Sequence, residues 1–324
     1  MANELIKQDQ PGGLSVPDLI NEWLHYEAGR GSSDTTLTAY KKSIEVFRDW
    51  VIENGLRDPG IVKPSDIREY KKALAERISQ KGKPLAPQTV NLRLSGVRSF
   101  FRFLVNTDHL LANPAGEVQG MKRSKTKRHK REELTSEEVR AVLATCKDQS
   151  PQDKRDLAIL TLMAYCGLRS IEINRANMAN LKTENDRLVL EVQGKGYKEA
   201  DEIVIVPRDQ EQVIHAWIAY RKEISASGPL FISFSNRTKG ARLSLRAIRY
   251  ITKERYAAAG VVGDKKSTHS LRHSAITNAI RNGASPMQVQ AMARHASFDT
   301  TLGYIHTVNR IDNPAEDFIR YMRA

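Results

Sequence analysis

Cysteine is scarce here: two residues in 324, Cys146 and Cys166. A disulfide framework is thereby excluded, and neither cysteine stands at metal-ligand spacing. Both fall in apolar helical patterns and are expected as small core residues in a reducing cytosol. Long apolar runs are missing too. No stretch approaches the roughly 18 residues of a membrane span, so no membrane partner is expected. The opening MANELIKQDQPGG has no apolar core of a secretory signal, and a cytoplasmic or nucleoid-associated protein is expected. There is no internal repeat, no Cys/His ligand pattern and no carboxylate triad, so neither a metal nor a cofactor is expected.

Positive charge is what the chain does have. Its 51 Lys and Arg exceed 38 Asp and Glu, for a formal net charge of +13. Acidic residues remain plentiful, which describes a folded protein with a basic surface. Such an excess favours a polyanionic partner through phosphate neutralisation and counterion release.

Organisation follows from apolar spacing. Residues 1–13 read as a polar leader. Within 14–118, four stretches carry apolar residues at helical spacing: Val16 to Leu24, Leu37 to Val51, Ile67 to Ile78, and Val90 to Leu104. Ser33 or Asp34, Pro64 and Pro87 stand where helices begin. Four such helices with short connections predict a small bundle. Arg93, Arg98 and Arg102 lie off the apolar stripe of the fourth helix, either as a solvated face or as DNA-backbone contacts.

Residues 119–133 read as an interdomain linker. It holds Lys122, Arg123, Lys125, Lys127, Arg128, Lys130 and Arg131 with no acid between them. So dense a run repels itself, and it serves either as a plain linker or as a strap along a DNA backbone. A second domain, 134–324, opens on a capping box at Thr135 and Glu138. It continues with a buried helix from Leu157 to Cys166. Two strand-like runs follow, Leu188–Val192 and Ile203–Val206, joined by a turn bearing Lys195 and Lys198. Helices dominate from residue 208 onward. The last, 316–324 after Asn313-Pro314-Ala315, docks either on a neighbouring protomer or on its own domain. The expected fold is mainly α with a small antiparallel β-sheet.

Chemistry concentrates in the second domain. Gly167-Leu168-Arg169 is followed by Glu172, and His269-Ser270-Leu271-Arg272-His273 by His295, Tyr304 and His306. His269 and Arg272 share one face of a helix start, where backbone N–H groups and partial positive charge favour an anion. Arginine presents a permanently charged fork that matches two phosphate oxygens. Histidine donates to phosphate or trades a proton near neutrality. Tyrosine forms covalent intermediates once its pKa of about 10 is lowered. Together these residues are suited to holding a phosphodiester while a phenolic oxygen attacks it. Taken singly, each has a plain alternative, such as a structural Arg169–Glu172 ion pair or a packed Tyr304.

The ordered set resembles the tyrosine recombinases, or phage-type integrases. That family's pattern is G-L-R-x-x-E, a hairpin lysine, H-x-L-R-H, a glycine-histidine, and a tyrosine nine residues later. The resemblance implies an N-terminal core-binding, SAM-like bundle and a C-terminal mixed α/β catalytic domain. It implies a site-specific DNA recombinase that integrates or excises a mobile element or resolves replicon dimers. Double-stranded DNA bearing a recombination site is the implied partner, with four copies assembled on two duplexes. It also implies roles. Tyr304 attacks the phosphate to give a 3′-phosphotyrosyl link, Arg169 and Arg272 clamp the non-bridging oxygens, and His295 donates a further hydrogen bond. His269 is the base towards Tyr304 and Lys195 the acid for the leaving 5′ oxygen, with Lys198 as substitute. Glu172 orients Arg169; His273 and His306 stand outside the chemistry. Alternatives are a DNA-relaxing enzyme of the type IB topoisomerase kind and a catalytically inactive DNA-binding relative. One position departs from the pattern: Ala293-Arg294-His295 stands where the family has Leu-Gly-His, and Arg294 is a candidate for an added phosphate contact.

Overall fold

Pro87 opens the helix on which the first unit is built. Proline presets the backbone for a first turn and lacks an N–H that the turn would leave unbonded. In the computed structural model this helix, α4, runs Pro87–Asn106, preceded by α1 (Val16–Gly29), α2 (Asp34–Glu53) and α3 (Pro64–Glu76). The structure describes residues 16–56, 59–80, 82–122, 132–147, 149–194, 200–225, 227–263 and 265–312, with side chains up to residue 305. The chain divides into two compact units, Met1–Lys125 and Thr126–Ala324.

In the first unit Val90, Leu94, Val97, Phe101 and Leu104 recur at three- and four-residue spacing along α4, and all are buried. They join Trp23 of α1, Ile44 and Phe47 of α2, and Tyr70 of α3 in one core. Ser33 caps α2, its hydroxyl accepting from the Thr36 N–H at 3.3 Å. Helices α2 and α4 approach so closely that a Cβ on Gly96 would lie 2.6 Å from Ser43 Cβ, so glycine is a packing requirement there. Arg98 hydrogen-bonds the Ala115 and Val118 carbonyls and anchors the 113–118 loop. Its guanidinium is thus engaged inside the unit, unlike the DNA-backbone contact the sequence suggested. Arg102 and Lys122 are exposed and Arg93 is half-buried. Arg123, Lys125, Lys127, Arg128, Lys130 and Arg131 lie outside the described residues.

The second unit starts at α5 (Ser136–Ala144), where Thr135 and Glu138 exchange reciprocal hydrogen bonds at 3.1 Å as a capping box. Helix α6 (Pro151–Tyr165) is buried from Ala158 through Met163 and forms the centre of the core. After α7 (Ser170–Arg175) come three antiparallel strands in the order β1 (Leu181–Glu184), β2 (Arg187–Val192) and β3 (Glu202–Ile205). Sequence spacing gave the last two but not β1, whose Leu-Lys-Thr-Glu shows little apolar alternation and is largely exposed. Its signal was the turn: Asn185 and Asp186 adopt φ of 47° and 57°, the pairing that closes a two-residue hairpin. In the other hairpin Val192 pairs with Glu202. Residues 195–199 beyond that pair, including Lys195 and Lys198, lie outside the described residues.

Five helices complete the unit: α8 (Arg208–Ile224), α9 (Leu245–Ala258), α10 (Thr268–Arg281), α11 (Pro286–Ala293) and α12 (Phe298–Asp312). Tyr304 lies within 15-residue α12 and packs with Ile276, Ile280, Val289 and Ala293 of α10 and α11. Residues 313–324, the expected final helix, lie outside the described residues.

Candidate active site

Gly167 is where the cleft begins. Helix α6 ends at Tyr165, and the chain turns through Gly167 with a φ of +62°. A Cβ there would stand 3.1 Å from Met292 Sδ, so both backbone and space call for glycine. The turn presents the Gly167 carbonyl inward, where Arg272 Nη1 and Arg294 Nη2 both donate to it.

Arg169 follows at the N-cap of α7. Its backbone N–H donates to Glu172 Oε2 at 2.7 Å, its Nη1 to Glu172 Oε1 at 2.8 Å, and its Nη2 to the Arg294 carbonyl at 3.2 Å. These bonds use two of the five N–H groups of the guanidinium. The Glu172 side chain is fully buried, and it also accepts from Arg294 Nη2 at 2.8 Å. Burial pushes its carboxyl up, but Arg294 and Arg169 outweigh that and hold it below the usual carboxylate range.

Arg272 rises from the first turns of α10, buried, with its Nη1 on the Gly167 carbonyl and its Nη2 on the Ala293 carbonyl. Neither partner is a carboxylate. Burial, reinforced by the like charge of Arg169, pushes its pKa down to about 9, while Glu172 and the Tyr304 phenol pull the other way. A buried cation penalised in this manner gains from an added anion. His269, three residues earlier on α10, is exposed.

Helix α11 ends at Arg294, whose φ and ψ of 51° and 54° are left-handed. For a residue with a Cβ that conformation costs roughly 1–2 kcal/mol. The side chain turns inward to Glu172, with Nη1 donating to the Met292 carbonyl at 2.6 Å. A direct phosphate contact, one expectation for Arg294, is therefore not its geometry: only 4% of the side chain is exposed. His295 comes next. Its Nδ1 sits 2.9 Å from the Thr301 hydroxyl, a residue buried on α12. The Tyr304 ring lies between two imidazoles, 5.8 Å from His295 and 4.8 Å from His273. Tyr304 is 8% exposed.

A cleft of about 550 Å³ opens over this group, lined by Arg169, Glu202, Ile203, Met287, Gln290, Ala291, Arg294, His295 and Ala296. The first unit has a hollow of about 220 Å³, but its wall is apolar apart from Arg48 and offers nothing to hold phosphate.

The structure therefore links Arg169, Glu172, Arg272, His295 and Tyr304 through one chain of contacts. Sequence reasoning passed over two contacts and one exposed basic face. Thr301 holds His295 from six residues downstream, and His273 packs on the tyrosine ring. The face is that of α9 bearing Arg246, Arg249, Tyr250 and Lys253, all exposed, opposite buried Ile248 and Ile251. Three- and four-residue basic spacing was the available signal for that face.

A helical N-terminal unit and a mixed unit that gathers arginines and imidazoles about a tyrosine define the tyrosine recombinase class. The phage integrase family pattern matches residues 132–310, and that of its N-terminal SAM-like domain matches 20–108. The chain belongs to the phage integrase family. Tyrosine recombinase XerC of Thermodesulfovibrio yellowstonii is 32% identical over 289 residues, spanning 87% of this chain and 89% of that protein. The fold is similar to that of the XerH site-specific recombinase bound to palindromic difH substrate in a post-cleavage complex. There the TM-score is 0.71 at 16% identity, over 94% of this chain and 85% of the other. It is also similar to a lambda integrase tetramer bound to a Holliday junction, with a TM-score of 0.63 at 16% identity over 91% and 78% of the two chains.

Proposed function

We propose that this chain is a site-specific DNA recombinase that cuts and rejoins strands through a 3′-phosphotyrosyl intermediate, with Tyr304 as the nucleophile. The observation that carries the reading is the buried guanidinium of Arg272, held among the described residues by backbone carbonyls and set within electrostatic reach of the Tyr304 phenol. Arg169 and Arg272 hold the non-bridging oxygens of the scissile phosphate, where charge concentrates as the phosphorane forms. Their charge also favours the phenolate over the phenol. Thr301 at His295 Nδ1 fixes the ring so that its other nitrogen serves the phosphate. His269 takes the tyrosine proton from its place at the start of α10, and Lys195 returns one to the leaving 5′ oxygen. The phosphotyrosine conserves the bond energy, so the 5′ hydroxyl of a new partner strand reverses the step without ATP.

The substrate is double-stranded DNA bearing a recombination site, and four copies act on two duplexes; the lambda integrase tetramer, similar in fold, was captured on a Holliday junction. Arg93, Arg102 and Lys122 of the first unit, the basic 122–131 stretch and the exposed α9 face with Arg246, Arg249 and Lys253 supply phosphate contacts. The protein acts in the cytoplasm; no described helix is long and apolar enough to cross a membrane. Relaxing-enzyme and inactive-relative readings gain no support, since the XerC relative spans both units. On a nicked duplex carrying the site, wild type is expected to form a covalent protein–DNA product whose DNA tag maps to Tyr304. Tyr304→Phe should bind the site and form none. Covalent product from the phenylalanine variant would overturn the assignment.

A further inference from the structure

Arg294 keeps a left-handed backbone, φ 51°, at the position where the family pattern has glycine. A strained backbone persists only when its surroundings over-determine it. Here the surroundings are two carboxylates on different elements. Arg294 Nη2 lies 2.8 Å from Glu172 Oε2 on α7, and its Nε lies 4.0 Å from Glu202 Oε2 on β3. Glu202 Oε2 is buried with no hydrogen-bond partner among the described residues, and Glu202 lines the same cleft as Arg169 and His295. It opens the strand that returns from the hairpin carrying Lys195.

We propose that Arg294 is a positioning residue: it neutralises Glu172 and Glu202 from behind, so that Arg169 keeps its remaining N–H groups for the phosphate instead of turning to a carboxylate pair. This rests on the reading that Arg169 holds the scissile phosphate. The charge count shows why the residue matters. Among the described residues Arg169, Arg272 and Arg294 stand against Glu172 and Glu202, so each cation there bears on how much positive charge is left for a phosphodiester. The neighbouring Asp201 is exposed, and water screens it. With glycine at 294 one of those cations is lost, and Glu202 sits in the cleft as a competing anion. Burial pushes the Glu202 carboxyl up and Arg294 opposes it. Arg294 itself touches no phosphate, because its N–H groups face Glu172, Gly167 and Met292.

The test is single-turnover covalent cleavage of a nicked duplex by full-length protein, read beside the dissociation constant for the same DNA. Arg294→Gly is expected to slow cleavage about tenfold, the scale of one pKa unit of charge interaction, with affinity changed by no more than about twofold. Adding Glu202→Gln to that variant should recover at least half of the loss on a logarithmic scale. A packing defect would not respond to removal of the Glu202 charge, since Gln keeps the shape of Glu. Wild-type cleavage by Arg294→Gly, or a slow rate that Glu202→Gln does not recover, would overturn the proposal. Glycine suits the left-handed backbone; if melting shows that variant unfolded, Arg294→Asn carries the same expectations, since asparagine tolerates that conformation. Arg169→Ala runs in parallel. If it cuts at the wild-type rate, the reading of the cleft fails; if it is inactive while Arg294→Gly is unimpaired, only the role of Arg294 fails.

Discussion

Two groups of buried arginines in the second unit invite comparison. Arg155 and Arg255 tie α6 to α9 through Asp153 and Asp156, with Arg255 Nη2 2.8 Å from Asp153 and 2.7 Å from Asp156, and Arg155 2.7 Å from Asp156. Two cations face two anions, and Arg155 also lies over the Phe234 ring. At the cleft Arg169 and Arg294 share one buried carboxylate, Glu172, with Glu202 at 4.0 Å from Arg294. Arg272 has carbonyl partners instead of a carboxylate. Burial of an arginine is thus no mark of function, and Arg221 is buried on the Ser225, Ser227 and Pro229 carbonyls as well; what sets Arg272 apart is that it also faces the Tyr304 phenol. The first group has nothing left to attract, whereas the second gains from a phosphate.

Crossing one variant from each group gives the largest contrast. Arg272→Met should lower the single-turnover cleavage rate by about 10²–10³, the cost of one transition-state donor. Its melting temperature should stay near wild type, because relief of desolvation offsets the lost hydrogen bonds. Asp156→Asn should do the reverse: about 3 kcal/mol less stable in denaturant unfolding, since buried Arg155 loses its carboxylate and Arg255 keeps only Asp153, yet near wild-type in cleavage when assayed cold. Equal losses of rate and stability in both variants would dissolve the distinction.

A smaller effect is expected from Gly167→Ala, which puts a Cβ at φ +62° and 3.1 Å from Met292 Sδ. It should cost roughly 1–2 kcal/mol of stability, measured by chemical denaturation. Because the Gly167 carbonyl holds both Arg272 and Arg294, cleavage should slow as well. The smallest effect comes from inorganic phosphate without DNA. Bound beside Arg272, whose pKa is pushed down to about 9, it offsets a buried cation that lacks a carboxylate partner. The sign is definite: a depressed arginine pKa costs stability at every pH below the folded value, so a bound anion raises stability at pH 7. At about five times its dissociation constant phosphate adds roughly 1 kcal/mol, read as a rise in melting temperature that Arg272→Met abolishes.

Local signals made much of this legible in the sequence. The Thr135–Glu138 box, the proline helix starts and the i,i+3 pairing of Arg169 with Glu172 depend on neighbours, and the structure has all of them. What escaped was set by distance. Arg294 meets Glu172 across 122 positions, and no spacing rule tells whether its side chain runs inward or to solvent. The place of Tyr304 on α12 depends on distance too. Packing against α10 and α11 stabilises α12, and local propensity does not register that. Arg98 resembled a surface cation because its carbonyl partners, Ala115 and Val118, sit in a loop without a motif.

The central claim, that charge in this cleft exists to meet charge on the phosphate, is tested most directly by removing the charge from the DNA. A nicked duplex with a neutral methylphosphonate at the scissile position should be cut by wild type and Arg272→Met at rates within about threefold of each other, against the 10²–10³ gap expected on phosphate. A gap that stays at full size on the neutral substrate would contradict the account.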